Sequence, residues 1–118
     1  MKKILIIRFS SIGDIVLTSP IIRCIKLQTD SELHFLTKKQ YSIILESNAY
    51  IDKVVFLKKM KLTLEELKSE NYDCIIDLQN NMRSLWLKWN LRIVSFTVLK
   101  RNWEKFLNLP CLNLFFTQ

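Results

Sequence analysis

The feature that most constrains the fold of this chain is a series of short apolar runs, each of which ends in a polar loop. The first run, Lys3 to Phe9 (KILIIRF), is rich in β-branched residues and is apolar without a break from Ile4 to Ile7. Such a run is typical of a strand buried on both faces of a parallel sheet. Four later segments have a similar form: 32–37 (ELHFLT), 52–57 (DKVVFL), 72–78 (YDCIIDL) and 92–97. We therefore predict a five-stranded parallel sheet with the first strand at its centre.

The segments between these runs predict helices that connect one strand to the next. In the first of them Pro20 lacks an N–H group, so either the helix kinks there or a new helix begins at Pro20 with Ser19 as its cap. Thr63 and Glu66 have the spacing of a capping box, which predicts a short helix over 64–69. Further helices are predicted at 40–46, from 82 onward and from 101 to 107. This alternation indicates an α/β fold, a Rossmann-like parallel sheet with flanking helices.

Two features that resemble binding elements are better explained by packing. Met82, Leu85, Trp86 and Trp89 follow one another at i, i+3, i+4 and i+7, which places them on one face of a helix. We expect this face to lie in the core rather than to form a platform for a sugar. His34 stands between two apolar residues of the second strand, so we expect a packed histidine rather than a ligand.

The length of 118 residues suits one α/β domain with a core of its own. We assign residues 1–107 to this domain. Residues 108–118 carry no charge and include Phe115 and Phe116. We interpret them as an atypical apolar tail that indicates truncation.

The charge balance favours an anionic partner. The chain has 18 Lys and Arg against 11 Asp and Glu, a net charge of +7, although most lysines are scattered as on an ordinary solvated surface. The three cysteines lack a CxxC spacing, so neither a disulfide framework nor a zinc site is expected. Arg8 interrupts the N-terminal apolar run too early for a signal peptide, and we expect a cytoplasmic protein.

Two loops carry residues suited to chemistry, because ligands of open parallel sheets bind at the carboxyl ends of the strands. The first spans Arg8 to Asp14 and has one glycine, which disfavours a phosphate-binding loop. Its Asp14 is suited to act as a general base, but a carboxylate there would equally cap a helix. The second spans Asp77 to Ser84, in which Arg83 either contacts an anionic substrate or is solvated in mid-helix. Asp77 would cap the turn after its strand.

Two motifs resemble those of glycosyltransferase family 9, the ADP-heptose lipopolysaccharide heptosyltransferases. The first is KILIIRFSSIGDIVLTSP at 3–20, and the second is YDCIIDLQNNMRS at 72–84. The resemblance implies a GT-B architecture of two Rossmann-like domains, of which this chain corresponds to the N-terminal, acceptor-side half. It also implies metal-independent, inverting transfer of heptose from ADP-heptose to the inner core of lipopolysaccharide.

The resemblance further implies roles for single residues. Asp14 would take the proton from the acceptor hydroxyl as that hydroxyl attacks the anomeric carbon. The remaining motif residues would shape the cleft or contact the acceptor: Ser10, Ser11, Gly13, Gln79, Asn80 and Arg83. No metal or other cofactor is implied, and the ADP-heptose site belongs to a donor domain that these 118 residues do not contain. We therefore expect a truncated heptosyltransferase that is inactive alone.

The implied partners are the anionic lipopolysaccharide core and, peripherally, the inner membrane. A half-domain with an uncovered face would also self-associate. A non-catalytic, flavodoxin-like module for small-molecule binding or interaction is the alternative that the length allows. The SS-x-GD turn argues against it, since such modules have different residues there. Nucleic-acid binding would use the positive charge but lacks a recognition motif, so we do not expect it.

Overall fold

The structure, a computed structural model, describes residues 2–99 and shows the expected five-stranded parallel sheet. The strands lie in the order β3-β2-β1-β4-β5, so β1 is central as predicted, and the Rossmann-like α/β fold is confirmed. The predicted helix at 101–107 and the tail at 108–118 lie outside the described residues. The strands are β1 (Lys2–Ile7), β2 (Ser31–Thr37), β3 (Lys53–Phe56), β4 (Cys74–Asp77) and β5 (Ser95–Thr97).

Within residues 2–99, five α-helices cover the two faces of the sheet. The side chains of Ile4 and Ile6 pack on one face with residues of α1, α2 and α3, whereas Leu5 and Ile7 pack on the other face with residues of α4 and α5. The central strand is therefore buried on both sides, as its unbroken apolar run requires. The helices are α1 (Ile12–Leu17), α2 (Ser19–Gln28), α3 (Ser42–Glu46, after a 3-10 turn at Lys39–Tyr41), α4 (Met60–Glu70) and α5 (Met82–Leu91).

The segment around Pro20 forms two helices rather than one kinked helix. The break falls at Thr18, and Pro20 lies in the first turn of α2, where its missing N–H group leaves no hydrogen bond unmade. The expected new helix is thus present, but it begins one residue earlier, and Thr18 takes the capping position expected for Ser19. The Thr18 hydroxyl does not cap it and donates instead to the carbonyl oxygen of Ile15.

The predicted start of α4 was wrong by about one turn. The helix begins at Met60, and Thr63 lies inside it with its side chain fully buried. The Thr63 hydroxyl oxygen does accept a backbone hydrogen bond, but from the N–H group of Lys58 at 2.9 Å, before the helix begins. The hydroxyl therefore secures the turn between β3 and α4 instead of forming a capping box with Glu66.

The predicted orientation of α5 was also wrong. Its buried residues are Ser84, Leu87 and Leu91, whereas the apolar set that we expected in the core faces outward. A capping box starts α5 on the buried side of the helix: the Asn81 side chain accepts from the N–H group of the buried Ser84, and the Ser84 hydroxyl accepts from the Asn81 N–H group, both at 3.0 Å. The exposed fractions of the outward residues are 81% for Met82, 53% for Leu85, 39% for Trp86 and 78% for Trp89.

The fifth strand is shorter than predicted because α5 continues into the expected strand. Arg92, which we placed at the start of the strand, caps the helix in the left-handed conformation with φ of 53°. The strand then begins at Ser95 and pairs with β4.

Candidate active site

The two candidate loops meet at the centre of one sheet edge. β1 pairs with β2 on one side and with β4 on the other, so the chain leaves β1 at the point where the strand order reverses. The loop after β1 and the loop after β4 are consequently neighbours. Such a switch point is where open α/β sheets bind ligands.

Arg8 joins the two loops and was not among the site residues predicted from the sequence. Its guanidinium donates one hydrogen bond to the Leu78 carbonyl oxygen at 2.9 Å and another to Oδ2 of Asp14 at 2.7 Å. The side chains are only 11% and 16% exposed for Arg8 and Asp14. The only sequence signal was an arginine immediately after a buried strand, where its side chain has little room to reach bulk water.

Asp14 lies in the first turn of α1, and two donors meet on one of its oxygens. Oδ2 accepts from the Arg8 guanidinium and also from the Ser11 hydroxyl at 3.2 Å. Ser11 is the residue that precedes α1, but its hydroxyl does not cap the helix and donates to Asp14 instead. The Arg8 guanidinium and the Ser11 hydroxyl therefore hold this oxygen of Asp14 within the first loop.

Gln79 fastens the first loop to the second. Its side-chain oxygen accepts from the N–H group of Phe9 at 2.9 Å and, at 3.5 Å, from that of Ser10. The peptide bond between Ser10 and Ser11 is cis. The carboxamide of Gln79 therefore holds the backbone that leads to Asp14, a positioning role that the sequence did not reveal.

The second loop is organised by Asp77, which is completely buried at the end of β4. Its Oδ1 accepts from the N–H groups of Gln79 at 3.0 Å and Asn80 at 2.9 Å, which confirms that it caps the turn after its strand. Its Oδ2 lies 2.8 Å from the ammonium group of Lys88, which also donates to the Thr97 hydroxyl at 2.7 Å. Asp77 thus ties α5 and β5 to the loop.

Three further predicted site residues border these loops. Arg83 lies in the first turn of α5 rather than in mid-helix, and its guanidinium carbon is 5.7 Å from the centre of the Phe9 ring. Asn80 is exposed and has a positive φ of 52°. Gly13 lies inside α1 with an ordinary negative φ, and a Cβ atom there would meet nothing within 4 Å. The backbone therefore does not require a glycine at 13, but the space beside it is open.

A second ionisable cluster lies at the opposite edge of the sheet. His34 is buried, as expected; its Nε2 is 2.6 Å from Glu32, and its Nδ1 is 3.2 Å from Glu70 and 2.9 Å from the Tyr72 hydroxyl. Glu32, His34 and Glu70 are close enough together to suggest a metal site. However, the Lys3 ammonium lies 3.8 Å from Glu32 and 3.2 Å from Glu70, so a cation already bridges the two carboxylates. We interpret the cluster as a structural ion network.

Burial changes the pKa of two groups near the start of β4, Tyr72 and Cys74. Burial first, and then the negative charges of Glu70, Glu66 and Glu32, raise the pKa of Tyr72. Burial also raises the pKa of the Cys74 thiol to about 12. Neither group ionises near neutral pH, so neither serves as a proton acceptor or nucleophile there.

Comparison with known proteins finds related sequences and folds. The chain is 33% identical over 90 residues to lipopolysaccharide heptosyltransferase 1 of Campylobacter coli, an alignment that covers 70% of this chain and 26% of the relative. No protein-family model matches the chain. The chain thus spans about a quarter of the length of the curated relative.

Two solved structures share the fold. A glycosyl transferase of family 9 from Veillonella parvula superposes with a TM-score of 0.76 at 19% identity, covering 89% of this chain and 34% of the other. The E. coli heptosyltransferase WaaC, solved with ADP, superposes with a TM-score of 0.68 at 23% identity, covering 98% and 39%. No helix within residues 2–99 is long and apolar enough to span a membrane.

Proposed function

We propose that the chain, which is similar to lipopolysaccharide heptosyltransferase 1 over 70% of its own length, belongs to glycosyltransferase family 9 and supplies the acceptor side of a heptosyltransferase. The acceptor in this proposal is the anionic core of lipopolysaccharide, and the donor is ADP-heptose. The protein would work in the cytoplasm, peripherally at the inner membrane. The observation that carries the proposal is a carboxylate, Asp14, held by Arg8 and Ser11 at the switch point of the sheet.

The proposed chemistry assigns one proton transfer to Asp14. Its carboxylate accepts the proton of an acceptor hydroxyl while the hydroxyl oxygen forms a bond to the anomeric carbon of the donor sugar. The bond from that carbon to the diphosphate breaks, and ADP leaves with the electron pair. Arg8, Ser11 and Gln79 act as positioning residues, because their hydrogen bonds hold Asp14 or the backbone beside it.

The charges at the same sheet edge support an acidic acceptor. β2 and β3 pair in parallel, so the residues that follow them lie side by side. Those residues include Lys38 and Lys39 after β2 and Lys59 after β3, whereas the neighbouring Lys58 is paired with Glu66 at 2.6 Å. Together with the exposed Arg83, they would surround the candidate site with positive charge that attracts carboxylate and phosphate groups.

Acceptor binding and donor binding belong to different parts of the protein in this proposal. Because the chain spans 26% of the curated relative, we propose that the donor site lies in the part that this chain does not match. The chain alone should then bind acceptor without transferring sugar to it.

A chimera provides the direct test. The chain would replace the matching segment of the C. coli relative, and transfer would be measured with ADP-heptose and a water-soluble, delipidated acceptor. We expect Asp14→Asn to lower kcat by at least about 100-fold with little change in the acceptor KM. Asp30→Asn, an exposed carboxylate at the opposite end of the sheet, is the matched control and should change kcat by less than about twofold.

Loss of activity must be separated from loss of the fold, because the asparagine side chain in the Asp14→Asn variant is neutral and no longer forms an ion pair with Arg8. Thermal unfolding of each chimera and its acceptor KM provide that check. A folded Asp14→Asn chimera that keeps its kcat would remove Asp14 as the base.

A further inference from the structure

The outward face of α5, formed by Met82, Leu85, Trp86 and Trp89, is an apolar surface that the described part of the chain leaves uncovered. Met82 and Trp89 are about four-fifths exposed, and Leu85 is half exposed. These residues lie opposite Leu87 and Leu91, so they point directly away from the sheet. Their exposed fractions correspond to roughly 500 Å² of apolar surface, at the upper end of what a soluble monomer presents.

The charged residues of α5 and of the position that caps it are all positive. α5 contains no acidic residue, and exposed arginines stand near both of its ends, Arg83 in its first turn and Arg92 immediately after its last. The whole chain carries a net charge of +7. An outward helix face that carries tryptophan and is flanked by cationic residues has the composition of a surface that lies in the interface of an anionic membrane.

The size of the face argues for a membrane rather than a second copy of the chain. A stable protein dimer buries about 800 Å² on each partner, more than this face offers. A bilayer needs only side chains that enter the boundary between headgroups and acyl chains, which Met82, Trp86 and Trp89 can do without a complementary surface. We propose that the outward face of α5 docks on a phospholipid bilayer that bears anionic headgroups.

The biological role of this docking rests on the proposed function. Docking would bring the candidate site to a lipid-anchored acceptor. Arg83 lies over Phe9 at the start of the first loop, and α5 follows directly on the second loop. Membrane contact along α5 would therefore place both loops close to the plane of the headgroups.

The first measurement follows Trp89 fluorescence in the full chain with Trp86→Phe and Trp103→Phe, so that one indole reports. We expect Trp89 to be quenched readily by acrylamide in buffer. Vesicles of phosphatidylethanolamine and phosphatidylglycerol should shift its emission to the blue and reduce quenching, whereas phosphatidylcholine vesicles should do so more weakly. High salt should weaken the response to anionic vesicles.

The second measurement uses matched pairs of variants in vesicle co-sedimentation. Leu85→Ser with Trp89→Ser should lower the partition coefficient onto anionic vesicles by at least about tenfold, since two interfacial side chains are removed. The control pair, Leu27→Ser with Ile43→Ser, removes comparably exposed apolar residues from the helices of the other sheet face and should change partition by less than about twofold.

Three outcomes would overturn the docking proposal. The first is protection of Trp89 from acrylamide before vesicles are added. Analytical ultracentrifugation would then show whether a second copy or the chain itself covers Trp89. The second is Trp89 emission that anionic vesicles leave unchanged, and the third is an equal loss of partition in both variant pairs. None of these readouts involves sugar transfer, and the chimera assay uses a soluble acceptor, so either proposal can fail without the other.

Discussion

Arg8 offers the sharpest test of how the candidate site is held together, because it contacts both loops. Arg8→Met keeps an unbranched apolar stem but removes the hydrogen bond to the Leu78 carbonyl oxygen and the 2.7 Å ion pair with Asp14. Hydrogen bonds to charged groups contribute about 1.5–3 kcal/mol each, and breaking a buried ion pair costs about 3–5 kcal/mol. Both side chains keep some contact with water, so we expect Arg8→Met to lower the free energy of unfolding by about 2–4 kcal/mol.

A double-mutant cycle isolates the pair from the other contacts of each residue. Asp14→Asn should be less destabilising in the Arg8→Met background than in the native chain, with a coupling energy of about 1.5–3 kcal/mol. Urea unfolding followed by circular dichroism would give each free energy, provided that the m value stays constant. Arg23→Met, an exposed arginine on α2, is the control and should change the stability by less than about 0.5 kcal/mol.

The reasoning would be refuted by a coupling energy near zero, or by an Arg8→Met variant no less stable than the Arg23→Met control. Either result would mean that Asp14 is held by the Ser11 hydroxyl and the backbone of α1 without help from Arg8. The proposed positioning role of Arg8 would then be withdrawn, although Asp14 would still be testable as a base.

Two further predictions concern stability. Arg92 adopts the left-handed conformation with φ of 53°, so Arg92→Gly should stabilise the chain by about 0.5–1 kcal/mol in urea unfolding. The control, Arg23→Gly inside α2, should destabilise the chain by about 1 kcal/mol. The reverse order of stabilities would contradict this account. Burial acts to raise the pKa of Glu70, but its hydrogen bonds and charge interactions with Lys3 and Lys53 outweigh burial and hold the pKa below its ordinary value. The stabilisation from these contacts should therefore be complete above the ordinary carboxyl pKa of about 4.5 and decline as the pH falls below it. Glu70→Gln should flatten the pH dependence of unfolding in that acidic range, and an unchanged slope would rule out this contribution.

Much of the fold could be predicted because the local composition of a strand indicates how completely the strand is buried. The run from Ile4 to Ile7 has no polar position, and only a central strand covered on both faces buries every residue of such a run. The loop residues followed from the same logic, since parallel strands bring their carboxyl ends to one edge. The motif resemblance then suggested Asp14 as a base, which stays a prediction, and the structure places it in contact with Ser11 and Arg8.

The orientation of α5 could not be predicted, because apolar residues occupy both sides of this helix. Leu87 and Leu91 satisfy the periodicity of one face, and Trp86 and Trp89 satisfy that of the other. The stripe with the tryptophans has four large apolar members, which favoured it for the core, but the structure buries the side with Ser84, Leu87 and Leu91.

The sequence alone thus determined the order of strands and helices, the central place of β1 and the two loops in which chemistry is proposed. These properties depend on which residues are apolar and on how far apart they lie. Tertiary structure decided which side of α5 faces the sheet, that Thr63 serves the turn before α4, and that Arg8 and Gln79 hold the loop of Asp14. The roles of Arg8 and Gln79 depend on contacts between residues 70 positions apart, whose distances and angles are fixed only when the sheet brings the strands together.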